Sequence, residues 1–262
     1  MKKEYAIVTG ASSGIGYEMA VILAAKGYPL ILVARREDRL QKLKEELLAK
    51  YSCPVEIVVL DLSQKEAAIA LHNYTQDANL DVEILVNNAG FGMQSPFLEQ
   101  SMERMAEMVH LNIITLTHLT QLYSQDFVKR GGGKILQVAS SAAFVPTPFL
   151  SSYAATKAYV RHFSDALYHE FKNTSVSHTT LYPGFTATEF GIVAHSEVPW
   201  IVQATQTQAR EVAEAGINAM LKGKKSVIPG AFNKVSAFFI GILPRGILVF
   251  FTGKLMGSRR KT

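Results

Sequence analysis

Cysteine is nearly absent from this sequence, which has one, Cys53, among 262 residues. A single cysteine excludes an internal disulfide, and the 48% of apolar residues excludes a disordered or collagen-like chain. We expect no secretory signal, because Met1-Lys2-Lys3-Glu4 runs directly into a strand-like segment without an apolar leader. No uninterrupted apolar run approaches the about 20 residues that cross a bilayer. We therefore expect a cytoplasmic protein in a reducing compartment.

Acidic residues are missing from the last part of the chain. Glu214 is the last carboxylate, whereas nine Lys and Arg residues lie from Lys222 onward. The first 221 residues hold the other 18 basic residues and all 22 acidic ones, a net charge of −4, so the overall charge of +5 comes from the tail. A basic segment at one end is weak support for nucleic-acid binding, and we expect no nucleic-acid partner.

Short apolar runs alternate with longer amphipathic segments. The runs predict strands at Tyr5–Thr9, Pro29–Ala34, Val55–Leu60, Val82–Asn87, Lys134–Ala139, Val176–Tyr182 and Ser226–Ile228. Helices are predicted between them at Gly14–Lys26, Glu37–Tyr51, Gln64–Asn79, Glu99–Lys129, Ser152–Lys172 and Ala209–Lys222. This alternation predicts an α/β fold of the Rossmann type, a doubly wound, mostly parallel seven-stranded sheet with helices on both faces.

A glycine-rich turn follows the first predicted strand and opens directly into the first helix. Glycine lets the backbone approach a pyrophosphate closely, while free N–H groups and the helix dipole hold its negative charge. A simple tight turn is the alternative, but the strand before it and the second strand after the helix are the setting that a dinucleotide site requires. The predicted contacts with the dinucleotide are Gly10, Ser12, Ser13, Gly14, Ile15 and Gly16.

The end of the second strand distinguishes the two dinucleotides. An acidic residue there bonds the ribose 2′-hydroxyl of NAD, whereas arginine accommodates the 2′-phosphate of NADP. Here the strand ends in Arg35 and Arg36, and Glu37 and Asp38 follow where acids favour the start of a helix. We expect NADP(H) as the cofactor, with NAD(H) as the alternative.

Tyr153 and Lys157 lie four residues apart on one predicted helix, so both project from the same face. Tyrosine loses its proton near pH ~10, too high for acid–base work at neutral pH. A cation about 4 Å away stabilises the phenolate by roughly 4 kcal/mol at an effective dielectric constant of about 20. We therefore expect Lys157 to lower the pKa of Tyr153. Such a pair also occurs by chance on many helices.

Further motifs surround this pair in a fixed order. They are the turn Thr9–Gly16, Asn87-Asn88-Ala89-Gly90 after the fourth strand, Asn112 in the next helix, Ser140 thirteen residues before Tyr153, and Pro183-Gly184 after the sixth strand. In this order and spacing the chain resembles the short-chain dehydrogenase/reductase family over residues 4–230. The resemblance implies an oxidoreductase acting on CH–OH groups, with a catalytic tetrad of Asn112, Ser140, Tyr153 and Lys157.

The resemblance also implies a role for each member of the tetrad. Tyr153 protonates the carbonyl oxygen as NADPH delivers hydride, and Ser140 hydrogen-bonds that oxygen. Lys157 lowers the pKa of Tyr153 and binds the nicotinamide ribose, and Asn112 holds a water that connects Lys157 to solvent. Ser141 is the alternative to Ser140, although the thirteen-residue offset favours Ser140.

The remaining cofactor contacts follow from the same resemblance. It implies contacts with the adenine from Asp61 and Leu62, and with the adenosine ribose side from Asn88, Ala89 and Gly90. Contacts with the nicotinamide amide and the pyrophosphate are expected from Pro183, Gly184, Thr186 and Thr188. Asn87 is expected to stabilise the sheet instead.

Apolar residues flank the tetrad in the sequence. Those expected to contact substrate are Phe91, Met93, Phe144, Phe149, Phe185 and Phe190. They favour a small apolar carbonyl substrate, such as a 3-oxoacyl or steroid-like ketone. Seven histidines are scattered without a metal-binding pattern, so we expect no metal site.

Three regions are predicted along the chain. Residues 1–230 form a single dinucleotide-binding and catalytic domain, within which residues 185–208 lack a clear period and are predicted to be a lid. Residues 231–262 form an apolar, basic tail interrupted at Pro244-Arg245. For the tail we consider a helical cover over the substrate site, an oligomer contact and a peripheral anchor at an anionic membrane. A resemblance to the tails of membrane-associated 3-oxoacyl and hydroxysteroid reductases of the same family favours the anchor.

The sequence thus predicts an NADPH-dependent carbonyl reductase in a homo-oligomer, a dimer or a tetramer. Two alternatives remain at this point. One is NAD-dependent oxidation of an alcohol by the same residues. The other is a non-catalytic, dinucleotide-sensing scaffold that has kept the fold, since fold alone does not define function.

Overall fold

Seven strands form the central sheet of the protein. The computed structural model describes residues 4–194 and 205–257 of the chain. The strands of this sheet are β1 Tyr5–Thr9, β2 Leu30–Ala34, β3 Val55–Val59, β4 Val82–Asn87, β5 Gly133–Val138, β6 Val176–Leu181 and β9 Ser226–Val227. Two shorter strands, β7 Thr186–Ala187 and β8 Thr207–Gln208, pair with each other outside it. The seven-stranded sheet predicted from the sequence is confirmed.

The order of the strands creates a crevice at one edge of the sheet. Neighbouring strands follow the order β3-β2-β1-β4-β5-β6-β9, and each of these pairs is parallel. The chain moves outward from β1 to β3, then returns beside β1 and continues in the other direction. Ligands of open parallel sheets bind beyond the carboxyl ends of the strands at such a reversal. The turns after β1 and β4 therefore meet where a dinucleotide is expected.

Helices cover both faces of the sheet. They are α1 Gly14–Ala25, α2 Glu37–Lys50, α3 Ala67–Asp77, α4 Met102–Val109, α5 Leu116–Arg130, α6 Ser151–Glu170, α7 Phe190–Val193, α8 Ala209–Leu221, α9 Ala231–Ile240 and α10 Arg245–Gly257. Ala6 and Val8 of β1 pack in the apolar cluster with α1, α2 and α8, whereas Ile7 packs in the cluster with α3 and α5. A strand covered on both faces needs apolar residues at successive positions, which explains the continuous apolar runs.

The long helix predicted over Glu99–Lys129 is divided in the structure. A 3-10 turn occupies Phe97–Glu99, and a π-helical segment over His110–Thr115 separates α4 from α5. Asn112 lies in this π-helical segment, where its side chain bonds both backbone groups of Phe91. Such π-helical turns occur frequently at functional sites.

The third helix begins later than predicted. The pattern predicts Gln64–Asn79, whereas α3 starts at Ala67. Asp61 accepts hydrogen bonds from the backbone N–H and the hydroxyl of Ser63, and Glu66 is left-handed with a φ of 63°. Local bonds from short polar side chains compete with the helix in this way.

The segment after β6 and the tail are described in part. Residues 195–204 of the predicted lid, which include His195, Pro199 and Trp200, lie outside the described residues, as do residues 258–262 of the tail. The pairing of β7 with β8 joins the two ends of the predicted lid. The tail forms α9 and α10, and α9 contacts a 3-10 turn over Ser141–Phe144. Within residues 4–194 and 205–257, a helix with the length and hydropathy of a membrane span is not found.

Candidate active site

A cavity of about 650 Å³ lies at the carboxyl ends of the central strands. At one end its wall consists of the glycine-rich turn after β1 and the two arginines after β2. At the other end the wall consists of aromatic residues around Tyr153 and of side chains from α9 and α10. The sequence motifs that lie far apart along the chain therefore face one space.

All but one of the predicted dinucleotide contacts line this cavity. The exception is Gly16, where an added Cβ would overlap the Asn88 amide group and the Gly10 carbonyl. Gly16 therefore permits close packing behind the turn and does not face the ligand space. The predicted contacts that line the cavity are Gly10, Ser12, Ser13, Gly14, Ile15, Arg35, Arg36, Asp61, Leu62, Asn88, Ala89, Gly90, Tyr153, Lys157, Pro183, Gly184, Thr186 and Thr188.

Thr9 joins the turn after β1 to the turn after β4. Its buried hydroxyl donates to the Val86 carbonyl at 3.0 Å and accepts from the backbone N–H groups of Asn88 at 2.9 Å and Ala89 at 3.0 Å. The Asn88 side chain returns a bond to the Thr9 carbonyl at 2.8 Å. A hydroxyl used fully in this way fixes the two turns against each other. The only signal of this role in the sequence is a polar residue at the end of an apolar strand.

Asn87 follows the expectation that it stabilises the sheet. It is buried, and its side chain donates to the Thr120 hydroxyl of α5 at 3.1 Å. Thr120 also accepts a bond from Gln137 of β5 at 2.7 Å. Asn87 therefore links β4 and β5 through one helix residue.

Arg36 is held against the glycine-rich turn. Its Nη2 donates to the hydroxyls of Ser12 at 3.0 Å and Ser13 at 2.9 Å, and its Nη1 donates to Glu189 at 2.8 Å. Glu189 also accepts from Arg39 at 2.6 Å. Hydrogen bonds from Arg39 and Arg36 lower the pKa of Glu189 to about 2. Sequence reasoning missed both Arg39 and Glu189, although Arg39 lies three residues after Arg36 and Glu189 directly follows Thr188.

Tyr153 and Lys157 project from α6 into the cavity, as their spacing predicted. Both are buried, and the Lys157 Nζ lies 5.9 Å from the centre of the Tyr153 ring. This Nζ donates to the Val138 carbonyl at the end of β5 at 2.9 Å. Ser140 begins the following 3-10 turn, where its hydroxyl accepts from the Ala142 N–H at 3.1 Å, and it lines the cavity together with Tyr153. An acid, a hydroxyl and a cation thus share one wall.

Asn112 stands behind this wall and does not line the cavity. Its Nδ2 donates to the Phe91 carbonyl and to the Thr156 hydroxyl, each at 3.0 Å, so it joins the π-helical segment to α6. A Cβ built on Gly90 would lie 2.9 Å from the Asn112 Oδ1 and 3.5 Å from the Lys157 Nζ. The lack of a side chain at Gly90 therefore leaves Asn112 and Lys157 facing the same small space.

Burial shifts the pKa values of both ionisable groups. It raises the pKa of Tyr153 to about 12, against a smaller lowering effect of the Ser140 hydrogen bond, and lowers the pKa of Lys157 to about 8. This is opposite to the expected lowering for Tyr153, because removing a phenolate from water costs more than a cation at this distance returns. The phenol therefore stays protonated at neutral pH, while Lys157 keeps its charge below pH ~8.

Four of the six predicted substrate contacts line the cavity: Phe91, Phe144, Phe185 and Phe190. Phe190 packs on Tyr153 with ring centres 5.2 Å apart. Met93 packs behind this pair without reaching the cavity. Phe149 also lies outside it, with a left-handed φ of 66° and its ring beside Gly257. The sequence placed all six near the tetrad, but side-chain direction was set by packing.

The two C-terminal helices form part of the cavity wall. Thr252 of α10 donates to the Pro146 carbonyl at 3.0 Å, and Asn233 of α9 packs against Gly184. These contacts hold the tail over the end of the cavity near Tyr153. The side chains that α9 and α10 contribute to the wall are Phe232, Asn233, Ser236, Ala237, Ile240, Thr252, Leu255 and Met256.

Charge is divided unevenly along the cavity. Arg35, Arg36, Asp61 and Glu189 gather at the end with the glycine-rich turn. At the end near Tyr153, Lys157 is the one charged side chain that the described residues contribute. Within residues 4–194 and 205–257, no group of three or more His, Cys, Asp or Glu side chains could hold a metal ion.

Curated proteins similar to this chain include several reductases. The very-long-chain 3-oxoacyl-CoA reductase of Pyrenophora tritici-repentis (strain Pt-1C-BFP) is 36% identical over 172 residues, which cover 64% of this chain and 50% of that protein. The chain thus spans about half the length of that relative. The human inactive hydroxysteroid dehydrogenase-like protein 1 is 28% identical over 263 residues, which cover 98% of this chain and 77% of that protein.

Solved structures and a family-wide comparison extend the likeness. A short-chain dehydrogenase from Sphingobium yanoikuyae in complex with NADPH has a TM-score of 0.81 and 27% identity, covering 91% of this chain and 94% of that one. An alcohol dehydrogenase from the archaeon Thermococcus sibiricus, complexed with 5-hydroxy-NADP, has a TM-score of 0.75 and 30% identity, covering 86% and 95%. The sequence model of the short chain dehydrogenase family matches residues 4–197. Because this match covers most of the chain, the protein belongs to the short-chain dehydrogenase family of oxidoreductases.

Proposed function

We propose that this protein is an NADPH-dependent carbonyl reductase that acts on an apolar ketone of the 3-oxoacyl or steroid-like kind. One observation carries the proposal. Tyr153 lines one cavity together with Ser140 and the buried Lys157, and the far end of this cavity presents Arg35 and Arg36. A proton donor therefore faces the space that also fits a dinucleotide.

The glycine-rich turn suits a dinucleotide. Gly10 and Gly14 have φ values of 67° and 59°, a conformation that a side chain disfavours. Ser13 precedes α1 without capping it through its side chain, which leaves the N–H groups of the first helical turn for a phosphate. Arg35 and Arg36 favour NADP(H) over NAD(H), because guanidinium groups match the 2′-phosphate. When bound, the reduced dinucleotide supplies a hydride to the carbonyl carbon.

The side chains of the tetrad manage the proton. Tyr153 donates its phenolic proton to the carbonyl oxygen, and Ser140 donates a hydrogen bond to the same oxygen. Lys157 stabilises the phenolate that results, since its ammonium lies 5.9 Å from the centre of the Tyr153 ring and lines the same cavity. Asn112 shares with Lys157 the space beside Gly90, where a water passes a proton back from solvent.

The lining near Tyr153 supports an apolar substrate. Phe144, Phe185 and Phe190 face this end, together with apolar side chains from α9 and α10. A charged ketone entering here loses its hydration without gaining an ion pair beyond Lys157, which costs free energy. An apolar ketone gains from the burial of its surface instead.

Turnover with NADPH or NADH and ketones of graded size and charge tests the proposal. We expect consumption of NADPH with bulky apolar ketones. Tyr153→Phe should lower kcat at least about 100-fold while changing the Kd for NADPH less than about twofold. Tyr159→Phe, at an exposed tyrosine on the same helix, is the matched control.

Three results oppose this proposal. Faster turnover of small charged ketones contradicts the substrate class. More efficient oxidation of alcohols with NAD contradicts the direction and the cofactor. Equal turnover by Tyr153→Phe and the wild-type protein contradicts the catalytic assignment and favours a dinucleotide-sensing scaffold.

We also propose that the tail makes peripheral contact with an anionic membrane from the cytoplasmic side. Five phenylalanines of α9 and α10 are more than half exposed, and all but Phe232 lie outside the cavity wall: Phe238, Phe239, Phe250 and Phe251. Lys234, Arg245 and Lys254 lie on the same helices, and no carboxylate follows Glu214 in the sequence. Exposed aromatic side chains beside unopposed positive charge suit anionic lipid.

Vesicle flotation tests this contact without removing helices that line the cavity. Phe238→Ser combined with Phe251→Ser should lower binding to vesicles that contain anionic lipid. Leu98→Ser, at an apolar residue exposed elsewhere, is the control. Unchanged flotation of the double variant opposes the proposal. Sedimentation equilibrium of the wild-type protein and of the double variant measures whether each forms the expected dimer or tetramer. If only the double variant dissociates, the exposed phenylalanines serve assembly and not membrane contact.

A further inference from the structure

One carboxylate crosses the dinucleotide end of the cavity. Glu189 lies between β7 and α7. Its carboxylate accepts from Arg36, the residue just before α2, at 2.8 Å, and from Arg39 of α2 at 2.6 Å. The neighbouring Thr188 packs against the glycine-rich turn, 3.0 Å from a Cβ built on Gly14. These contacts bring an anion to the arginines proposed to bind the phosphate of the cofactor.

The guanidinium of Arg36 has no nitrogen without a partner. Its Nε and Nη2 donate to the Ser12 hydroxyl at 3.3 Å and 3.0 Å, Nη2 also donates to Ser13, and Nη1 donates to Glu189. These bonds use four of the five N–H groups, and the fifth, on Nη1, lies beside the Glu189 carboxylate. A phosphate that binds Arg36 through two N–H groups must therefore replace one of these acceptors. The serine hydroxyls are neutral and belong to the turn itself. The Glu189 carboxylate is the acceptor that a phosphate resembles in charge and in its fit to the guanidinium fork.

A dinucleotide without the 2′-phosphate makes no such demand. Arg35, the other arginine after β2, is 59% exposed and lies 4.0 Å from Asp61, so its donors are less occupied. NADH can therefore occupy the cavity while Glu189 keeps both of its ion pairs. NADPH must separate Glu189 from Arg36 or hold its phosphate beside a carboxylate, and either event costs free energy.

We propose that Glu189 sets the preference between NADP(H) and NAD(H) by competing with the 2′-phosphate for Arg36 and Arg39, an inference that rests on the proposed dinucleotide-binding function. Glu189 acts as a specificity-determining residue. It weakens the binding of NADPH relative to what the two arginines alone provide, and it leaves the binding of NADH nearly unchanged.

Glu189→Gln tests the competition, because it keeps the shape and removes the charge. Equilibrium titration measures Kd for NADPH and NADH, and for adenosine 2′,5′-bisphosphate and 5′-AMP, which isolate the 2′-phosphate from the nicotinamide. Exposed ion pairs contribute little each, so we expect affinity about 3- to 10-fold tighter for NADPH and the bisphosphate, and less than about 2-fold changed for NADH and 5′-AMP. Glu189→Ala should shift the same ratio in the same direction.

Glu4→Gln is the matched control. Glu4 is 2.8 Å from Arg130, its side chain is 45% exposed against 38% for Glu189, and it precedes β1 at the opposite edge of the sheet. It should leave both affinities unchanged. An equal change of the Kd for NADPH and NADH in Glu189→Gln overturns the inference, because Glu189 would then affect the binding of any dinucleotide. Weaker or unchanged NADPH binding also overturns it. Wild-type protein that binds neither dinucleotide overturns the proposed function itself.

Discussion

Replacing Lys157 by methionine isolates the contribution of its charge. Methionine has a similar length and apolar character, so Lys157→Met removes the ammonium from a buried site without leaving a large cavity. The Nζ lies 5.9 Å from the centre of the Tyr153 ring. Opposite charges about 6 Å apart attract by roughly 3 kcal/mol at an effective dielectric constant of about 20, so we expect an about 100-fold decrease in kcat.

The pH dependence provides a second readout of the same change. The pKa of Lys157 is lowered to about 8 by burial, so the neutral form accumulates above that pH. Carbonyl reduction by the wild-type protein should therefore slow as the pH rises through that value. Lys157→Met has no charge to lose and should lack this decrease. Tyr153, with its pKa raised to about 12, stays protonated throughout.

Stability should change in the opposite sense to activity. The folded-state pKa of Lys157 lies below the value of an unfolded lysine, so its charge destabilises the fold most at and below pH ~8 and less as the pH rises towards ~10. Lys157→Met should therefore unfold at the same or a higher temperature at pH ~7, with the difference shrinking above pH ~8.

Stopped-flow turnover and thermal unfolding measure these effects. Lys129→Met, at an exposed lysine of α5, is the control and should change neither property. A kcat for Lys157→Met within about threefold of the wild type would refute the electrostatic reasoning. A retained decrease in rate above pH ~8 would assign that titration to another group.

Two further substitutions examine packing and acid sensitivity. Gly16→Ala places a methyl against the Gly10 carbonyl and the Asn88 side chain, so it should weaken dinucleotide binding and lower the free energy of unfolding by about 1–3 kcal/mol. The control is Gly246→Ala, where the added methyl meets no atom within 4 Å, and it should change neither property. Equal behaviour of the two variants in calorimetry contradicts the packing argument. His178 is buried, neither ring nitrogen has a partner among the described residues, and burial lowers its pKa to about 4 from 6.5. Between these two pH values His178 is protonated in the unfolded chain and neutral in the folded chain. The free energy of unfolding should therefore fall by up to about 3 kcal/mol as the pH falls from ~6.5 to ~4. His178→Leu should abolish this part of the loss in urea unfolding, and an unchanged pH dependence refutes the assignment.

Local patterns in the sequence determined the strands, the order of the elements and the face that Tyr153 and Lys157 share. A strand covered on both faces must be apolar at nearly every position, and a helix places residues four apart on one side. The turn over residues 10–16 was predicted from the spacing of its glycines between a strand and a helix, and in the structure Gly10 and Gly14 have positive φ values that glycine tolerates.

The tertiary structure decided what depends on distant segments meeting. Thr9 bonds to the turn after β4, and Glu189 bonds to α2 across more than 140 residues of chain. The tail could not be assigned from its composition, since an apolar, basic helix suits a cavity wall, an interface or a membrane equally well.

The direction of a pKa shift is also decided by the tertiary structure. Spacing alone predicted that Lys157 lowers the pKa of Tyr153, whereas burial raises it. The interaction with one neighbour is visible in the sequence. Desolvation is a sum over all surrounding atoms, and that sum exists only once the chain has folded.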